Sequence, residues 1–234
     1  MTEHDKINIL VTGASRGIGA AIAAAFDPNS AEVLALSSQD GDLADPATPP
    51  KLWADSLHRL NGRVDVLINN AGIFDSNPIS ADEDQWRESW NRTIQINLTA
   101  SAELCRLAVR HWQDKRVGGR MVNIASRAAH RGDSPDHWHY AASKAGMVAM
   151  TKTIARAYAA QGIYAFAICP GFTMTGMADG YLTSRGGDKL LADIPLGKVA
   201  DPEEVAAIAK FCALDAPPSM TGAVLDVNGA SYVR

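Results

Sequence analysis

The stretch Ile7-Asn8-Ile9-Leu10-Val11-Thr12-Gly13-Ala14-Ser15-Arg16-Gly17-Ile18-Gly19 begins as an apolar run, breaks into a glycine-rich turn and opens an alanine-rich segment. A strand feeding a glycine turn and then a helix is the arrangement that holds a dinucleotide pyrophosphate. The first backbone N–H groups of a helix lack partners within it, and the helix dipole is positive at that end. The glycines allow a sharp turn, room for the cofactor against the backbone, and close packing of helix on sheet. Gly13, Gly17 and Gly19 are spaced Gly-x-x-x-Gly-x-Gly, with Ser15, Arg16 and Ile18 between them. The commoner fingerprint is Gly-x-Gly-x-x-Gly.

Outward from this loop, β-rich runs alternate with helical patterns. Strands are expected at Ile7–Thr12, Glu32–Ser37, Val64–Asn69, Gly119–Ala125, Ile163–Cys169 and Ala223–Val227. Helices are expected at about Ile18–Phe26, Pro49–Leu60, Asp84–Asp114, Trp138–Gln161, Gly187–Leu191 and Pro202–Ala213. Asp201-Pro202-Glu203-Glu204 is a good helix start, with Asp as N-cap, Pro in the first position and acids in the first turn. The alternation predicts the α/β class: a Rossmann-type, doubly wound parallel sheet with helices on both faces. No repeat or linker divides the 234 residues, so 1–234 reads as one domain.

Bulk properties narrow the partners. Net charge is −4 with no basic run, which argues against nucleic acid. No apolar stretch approaches the roughly 20 residues of a membrane helix. The polar start Met1-Thr2-Glu3-His4-Asp5-Lys6 lacks a signal-peptide core. Cys105, Cys169 and Cys212 are few and far apart, and read as buried free thiols in a reducing cytoplasm.

Tyr140 and Lys144 stand four positions apart and share a helix face. Ser126 ends an apolar strand, and Asn97 lies within the long helical pattern. Reducing a carbonyl needs hydride at carbon and a proton at oxygen. A tyrosine with the ordinary pKa near 10 is a poor base at neutral pH. A nearby ammonium, joined by the positive charge of an oxidised nicotinamide, favours phenolate and predicts a lowered pKa.

Read together, the glycine loop and Tyr140-Ala141-Ala142-Ser143-Lys144 make the chain resemble the classical short-chain dehydrogenases/reductases, from about Ile7 to the end. The resemblance implies an active site of Asn97, Ser126, Tyr140 and Lys144. Tyr140 would be the acid in reduction and the base in oxidation. Lys144 would also hold the nicotinamide ribose hydroxyls, and Ser126 would donate to the substrate oxygen. Asn97 would steady a kinked helix and a water that relays protons to the lysine.

Asn69-Asn70-Ala71-Gly72 matches the family's Asn-Asn-Ala-Gly, which implies that Asn70, Ala71 and Gly72 support the sheet and line the adenosine ribose. Pro170-Gly171-Phe172-Thr173-Met174-Thr175 matches the loop that packs on the nicotinamide. There Thr173 and Thr175 both fit the carboxamide contact, and Thr175 is the closer match by spacing. The Thr12–Gly19 loop, the Tyr140 motif and the Pro195-Leu196-Gly197-Lys198 turn look much like bacterial 3-oxoacyl-carrier-protein reductases. Arg16, Ser37 and Ser38 are the expected contacts of an extra adenosine phosphate, because arginine makes paired hydrogen bonds to phosphate. NADP(H) is therefore the expected cofactor and NAD(H) the alternative, with Asp40 and Asp42 close enough in sequence to oppose the phosphate.

The chain departs from the family in two places. After Ser37 it reaches Asp42-Leu43, the expected adenine-side turn, within a few residues. That is too short for the crossover of roughly ten residues a parallel neighbour needs. The third strand and its preceding helix should be missing, leaving the order 2-1-4-5-6-7 in the family's numbering. The spacing from Ser126 to Tyr140 is also one residue longer than is common.

Other residues draw attention without a clear chemistry. His130, His137 and His139 lack zinc spacing, so no metal is expected and the segment reads as a polar loop. Arg127, His130 and Arg131 read as solvated charges, with greeting of an acidic substrate as the alternative. Trp86, Trp90 and Trp112 suggest packing or subunit contacts. The resemblance implies a homodimer or homotetramer. Ile73–Asn77 and a lid at Thr175–Pro195 should shape the pocket for a small carbonyl or alcohol. A non-catalytic nucleotide-binding scaffold, which loss of Tyr or Lys would mark, and an assembly subunit, which activity of the purified protein on a generic ketone would exclude, are the other functional classes.

Overall fold

The computed structural model describes residues 6–174 and 191–234. Strand β1 (Ile7–Val11) leads to helix α1 (Gly17–Ala24), strand β2 (Ala31–Ala35), helix α2 (Thr48–Arg59) and strand β3 (Val66–Asn69). Helix α3 (Glu83–Ile94) runs through a π-helical turn (Gln95–Thr99) into helix α4 (Ala100–Lys115), which is followed by strand β4 (Gly119–Ile124). The short helix α5 (Ala128–Arg131) precedes the long helix α6 (Trp138–Tyr158) and strand β5 (Ile163–Pro170). Helix α7 (Pro202–Leu214) and strand β6 (Val224–Val227) follow. The expected helix Gly187–Leu191 lies outside the described residues apart from Leu191.

The six strands form one parallel sheet in the order β2-β1-β3-β4-β5-β6. This is the predicted order with the third family strand absent. Among the described residues no strand pairs with the outer side of β2, and Ser37–Asp45 forms turns instead. The edge strand is only five residues long and carries the exposed Glu32, two features that discourage pairing with another chain.

Burial on both faces explains why the central strands are apolar throughout. Ile9, Val11, Ile68, Val122 and Phe166 pack against α1 and α7. Leu10, Leu67, Met121 and Ala165 pack on the opposite face with Leu52, Leu104 and Trp112. Trp112 is fully buried, and its Nε1 donates to Val64 O at 2.7 Å. At α7 the Asp201 N–H donates to Glu204 Oε1 at 3.3 Å and Pro202 opens the helix, as the sequence predicts.

The chain moves from β1 outward to β2, then crosses back to place β3 on the other side of β1. Such a reversal opens a crevice at the carboxyl ends of the strands, where α/β proteins bind ligands. The glycine loop and Asn69–Gly72 both lie at that edge. Two local features went beyond the expected pattern. The Asp84–Asp114 pattern contains a π turn at Asn97, and the segment after Ser126 forms α5 rather than an extended loop.

Candidate active site

The glycine loop is closed by side chains and backbone from the next strand. Asn70 Nδ2 donates to Thr12 O at 3.1 Å and Gly13 O at 2.9 Å. In return the N–H groups of Asn70 and Ala71 donate to Thr12 Oγ1 at 3.1 and 3.2 Å. Space is limiting here. A Cβ on Gly19 would lie 2.1 Å from Gly13 O, and one on Gly13 would lie 2.6 Å from Ala71 Cα. Gly13 and Gly17 also adopt φ of +66° and +54°, which suits only glycine well.

Ser15 and Arg16 are exposed at the mouth of this cradle, beside Ile18. No side chain caps α1, and its first turn has no acid. The helix start thus presents amides and positive dipole to the crevice, which fits a dinucleotide pyrophosphate.

Ser37 and Ser38 lie beyond the end of β2. Ser37 does not stand open as expected for a phosphate contact. Its N–H donates to Asp40 Oδ2 at 2.8 Å, and its hydroxyl donates to the same oxygen at 3.2 Å. Asp42 Oδ1 accepts from Ala44 N–H at 2.9 Å, and Leu43 O accepts from Gln95 Nε2 at 3.3 Å. The Asp42-Leu43 turn is thereby fastened to the π turn.

The four expected catalytic residues converge from three elements: the π turn, the end of β4 and α6. Asn97, fully buried in the π turn, accepts from Ile73 N–H at 2.8 Å and donates to Ile73 O at 2.9 Å. Its Nδ2 also reaches Ser143 Oγ at 3.3 Å, and Ser143 Oγ donates to Tyr140 O at 2.7 Å. A Cβ on Gly72 would sit 3.3 Å from Asn97 Oδ1 and 3.4 Å from Lys144 Nζ, which brings these three positions together. Lys144 is only 4% exposed and donates from Nζ to Ile124 O at 2.8 Å. Its Nζ lies 5.9 Å from the centre of the Tyr140 ring. Ser126 Oγ accepts from Ala128 N–H at 3.1 Å, so the start of α5 orients the hydroxyl.

The electrostatics differ from expectation in one respect. Desolvation pushes the Tyr140 phenol up to about 12, and the neighbouring Ser126 side chain pulls the other way. The lowering predicted from Lys144 does not arise: burial penalises phenolate, and the Lys144 ammonium is engaged with a backbone carbonyl. Burial also brings Lys144 down to about 8.

The Pro170–Thr173 loop, expected to flank the nicotinamide, is equally tight. Gly171 N–H donates to Val227 O at 2.9 Å, and a Cβ on Gly171 would lie 2.8 Å from Asn228 Cα. Pro170 O accepts from Arg127 N–H at 2.9 Å. Thr173 is buried, and its hydroxyl donates to Gly171 O at 3.3 Å. Thr175 lies outside the described residues, as does most of the Thr175–Pro195 segment.

The reading of Arg127 as a solvated charge is overturned. Arg127 is buried, 3.3 Å from Asp193 Oδ2 and 4.7 Å over the Phe172 ring, and Arg131 meets the same carboxylate at 2.7 Å. The histidines go separate ways. His130 lies parallel to Tyr232 and 3.7 Å from Cys169 Sγ, while buried His139 faces Trp90. His137 stacks on Phe74 at 3.8 Å, and Phe74 meets Tyr140 edge-on at 4.7 Å. The Phe74 contact had a weak signal, its place in the pocket-shaping Ile73–Asn77. Asp193 had none.

Residues 40–230 match the family model described as enoyl-(acyl carrier protein) reductase. The chain is similar to a 3-oxoacyl-[acyl-carrier-protein] reductase of Vibrio harveyi, 33% identical with 96% of each chain covered. A reductase of the same name from Synechocystis sp. is 34% identical with 94% of each covered. Among solved structures, a putative NAD(P)-dependent gluconate 5-dehydrogenase of Beutenbergia cavernae with bound NADP has TM-score 0.86 and 31% identity, with 96% of each chain covered. A variant of actinorhodin polyketide ketoreductase with NADPH has TM-score 0.85 and 26% identity, with 99% of each covered. The sheet, the cradle and the relatives agree: the chain belongs to the short-chain dehydrogenase/reductase family, NAD(P)-dependent oxidoreductases that act on CH–OH and carbonyl groups.

Proposed function

We propose that this protein transfers hydride between NADP(H) and a small carbonyl or alcohol, with Tyr140 as the general acid and base. The observation that carries this reading is the buried Lys144 ammonium, anchored on Ile124 O at 2.8 Å and held 5.9 Å from the Tyr140 ring. Bound cofactor supplies the hydride. In reduction Tyr140 donates its proton to the substrate oxygen, and the charge of Lys144 stabilises the phenolate left behind. Ser126 donates to the same oxygen and stabilises charge developing there. Asn97 holds the backbone beside Gly72 and supports proton return toward Lys144. In oxidation the same groups act in reverse.

Gly13, Gly17 and Gly19 with the start of α1 hold the pyrophosphate in this reading. Asn70, Ala71 and Gly72 line the ribose, and Pro170, Gly171 and Thr173 flank the nicotinamide. Arg16 faces the adenosine phosphate. NADP is supported by the solved structures that carry NADP or NADPH on the same fold.

A second reading, reduction of a 3-oxoacyl thioester, is supported by the relatives named for that reaction. The assembly that accompanies either reading is a cytoplasmic homodimer or homotetramer, and exposed Leu196 and Val233 near the C-terminal strand supply apolar surface for it. No described helix is long and apolar enough to cross a membrane. The test is NADPH consumption over a panel of ketones, sugar acids and 3-oxoacyl thioesters. Turnover of any of them, lost in Tyr140→Phe, is the expected result. Equal turnover in that variant overturns the reading.

A further inference from the structure

Helix α5 is four residues long, a single turn, and a helix that short does not hold its shape unaided. Yet Ser126 depends on it. Ala128 N–H donates to Ser126 Oγ at 3.1 Å and Ala129 N–H to Ser126 O at 3.0 Å, so the direction of the hydroxyl follows the start of α5. Packing on α6 supports one side of the turn. The polar side chains on and beside α5 all meet the far end of the chain. Arg131 Nη1 donates to Asp193 Oδ2 at 2.7 Å and to Ser231 O at 3.3 Å. Arg127 Nη1 lies 3.3 Å from the same Asp193 oxygen. The His130 ring lies parallel to that of Tyr232, with centroids 5.9 Å apart.

These C-terminal groups form one body. Leu196 N–H donates to Gly229 O at 3.1 Å, which joins the segment after Asp193 to the tail. Within the tail, buried Asn228 donates from Nδ2 to Tyr232 O at 3.0 Å, and its O accepts from Ser231 Oγ at 2.7 Å. Arg234 Nε donates to Asp226 Oδ2 at 3.0 Å, which fastens the end of the chain to β6. We propose that Asp193 and Tyr232 are positioning residues for the reaction: they clasp α5 and thereby aim the Ser126 hydroxyl at the substrate oxygen. This rests on the reading of Ser126 as a donor to that oxygen. A donor fixed in advance stabilises developing charge without reorganising, whereas a frayed α5 releases Ala128 N–H and lets the hydroxyl rotate. The glycine cradle shares none of these contacts, so NADPH affinity is expected to survive loss of the clasp.

The experiment follows single-turnover NADPH oxidation by the full chain, with a ketone that it reduces, in Asp193→Ala, Tyr232→Ala and Tyr232→Phe, each with and without Ser126→Ala. Asp193→Ala and Tyr232→Ala are expected to lower the rate about tenfold and leave the NADPH dissociation constant unchanged. Tyr232→Phe keeps the ring beside His130 and is expected to keep the rate. In the Ser126→Ala background the same substitutions are expected to change nothing further, because nothing is left for them to position. A proportional fall in that background assigns them a general structural role and overturns the proposal, as does a full rate in Tyr232→Ala. Loss of rate accompanied by dissociation of subunits in light scattering also overturns it, since the tail then acts at an interface. Should Asp193→Ala fail to fold, having stranded the buried Arg127 charge, Tyr232→Ala decides alone. A Ser126→Ala variant as fast as the parent overturns the reading of Ser126 and the proposal together.

Discussion

The side-chain amide of Asn97 grips both backbone polar groups of Ile73, accepting from its N–H at 2.8 Å and donating to its O at 2.9 Å. This grip fixes the backbone between Gly72 and Phe74. Asn97→Asp retains the acceptor and loses the donor. It should leave Ile73 O unpaired, lower the melting temperature by an amount matching about 1–3 kcal/mol, and reduce kcat more than it raises KM. Thermal melts and steady-state kinetics on one preparation check this, and unchanged stability would mean the grip is dispensable.

Tyr140→Phe keeps the ring and its edge-on contact with Phe74 but removes the proton. Turnover should fall by about 10²–10⁴, the range of a general acid, while NADPH affinity stays within a factor of a few. Kinetics and cofactor titration separate the two. Loss of both together would assign Tyr140 a structural role.

Burial brings the Lys144 pKa down to about 8, so the ammonium is present below that pH and absent above it. The reduction rate of the free enzyme should therefore be flat below about pH 8 and fall above it, because neutral lysine no longer stabilises phenolate. The folded pKa lies below the ordinary value of 10.5, so the unfolded chain binds more protons between these values. Stability should rise with pH across that window, relative to Lys144→Met, in which the rise disappears. A kcat/KM profile and paired melts from pH 6 to about 10.5 test both signs.

Arg16 stands exposed at the mouth of the glycine cradle, with no capping bond to α1. Arg16→Ala should weaken NADPH about tenfold or more and change NADH little, as expected for loss of a charge-assisted phosphate contact. Equal losses for both cofactors would place Arg16 on the pyrophosphate instead.

A methyl group on Gly19 has nowhere to go, lying 2.1 Å from Gly13 O and 2.4 Å from Asn70 Nδ2. Gly19→Ala should push the loop from Asn70, cost about 1–3 kcal/mol of stability and abolish dinucleotide binding. Gly132→Ala is the control for strain without crowding. Gly132 has φ of +77° with nothing within 4 Å of a built Cβ, so this variant should lose stability without losing cofactor.

The sequence by itself determined the order of the strands, the glycine cradle and the absent third strand. These are local matters: a buried strand must be apolar, a tight positive-φ turn favours glycine, and a chain of a few residues cannot form a crossover. The pairing of Tyr140 with Lys144 was legible for the same reason, since four positions on one helix share a face. Ser37 is a closer case. An aspartate three residues on is a common local acceptor, but only the folded turn shows that it takes both serine donors. The rest was decided by tertiary structure, because a side chain's burial and partners come from elements far away in the chain. Arg127 and Asp193 meet only when the C-terminal segment folds back on α5, so a residue that reads as solvated becomes buried. Tyr140 follows the same logic: its neighbours in sequence suggest a lowered pKa, and the packing around its phenol raises it.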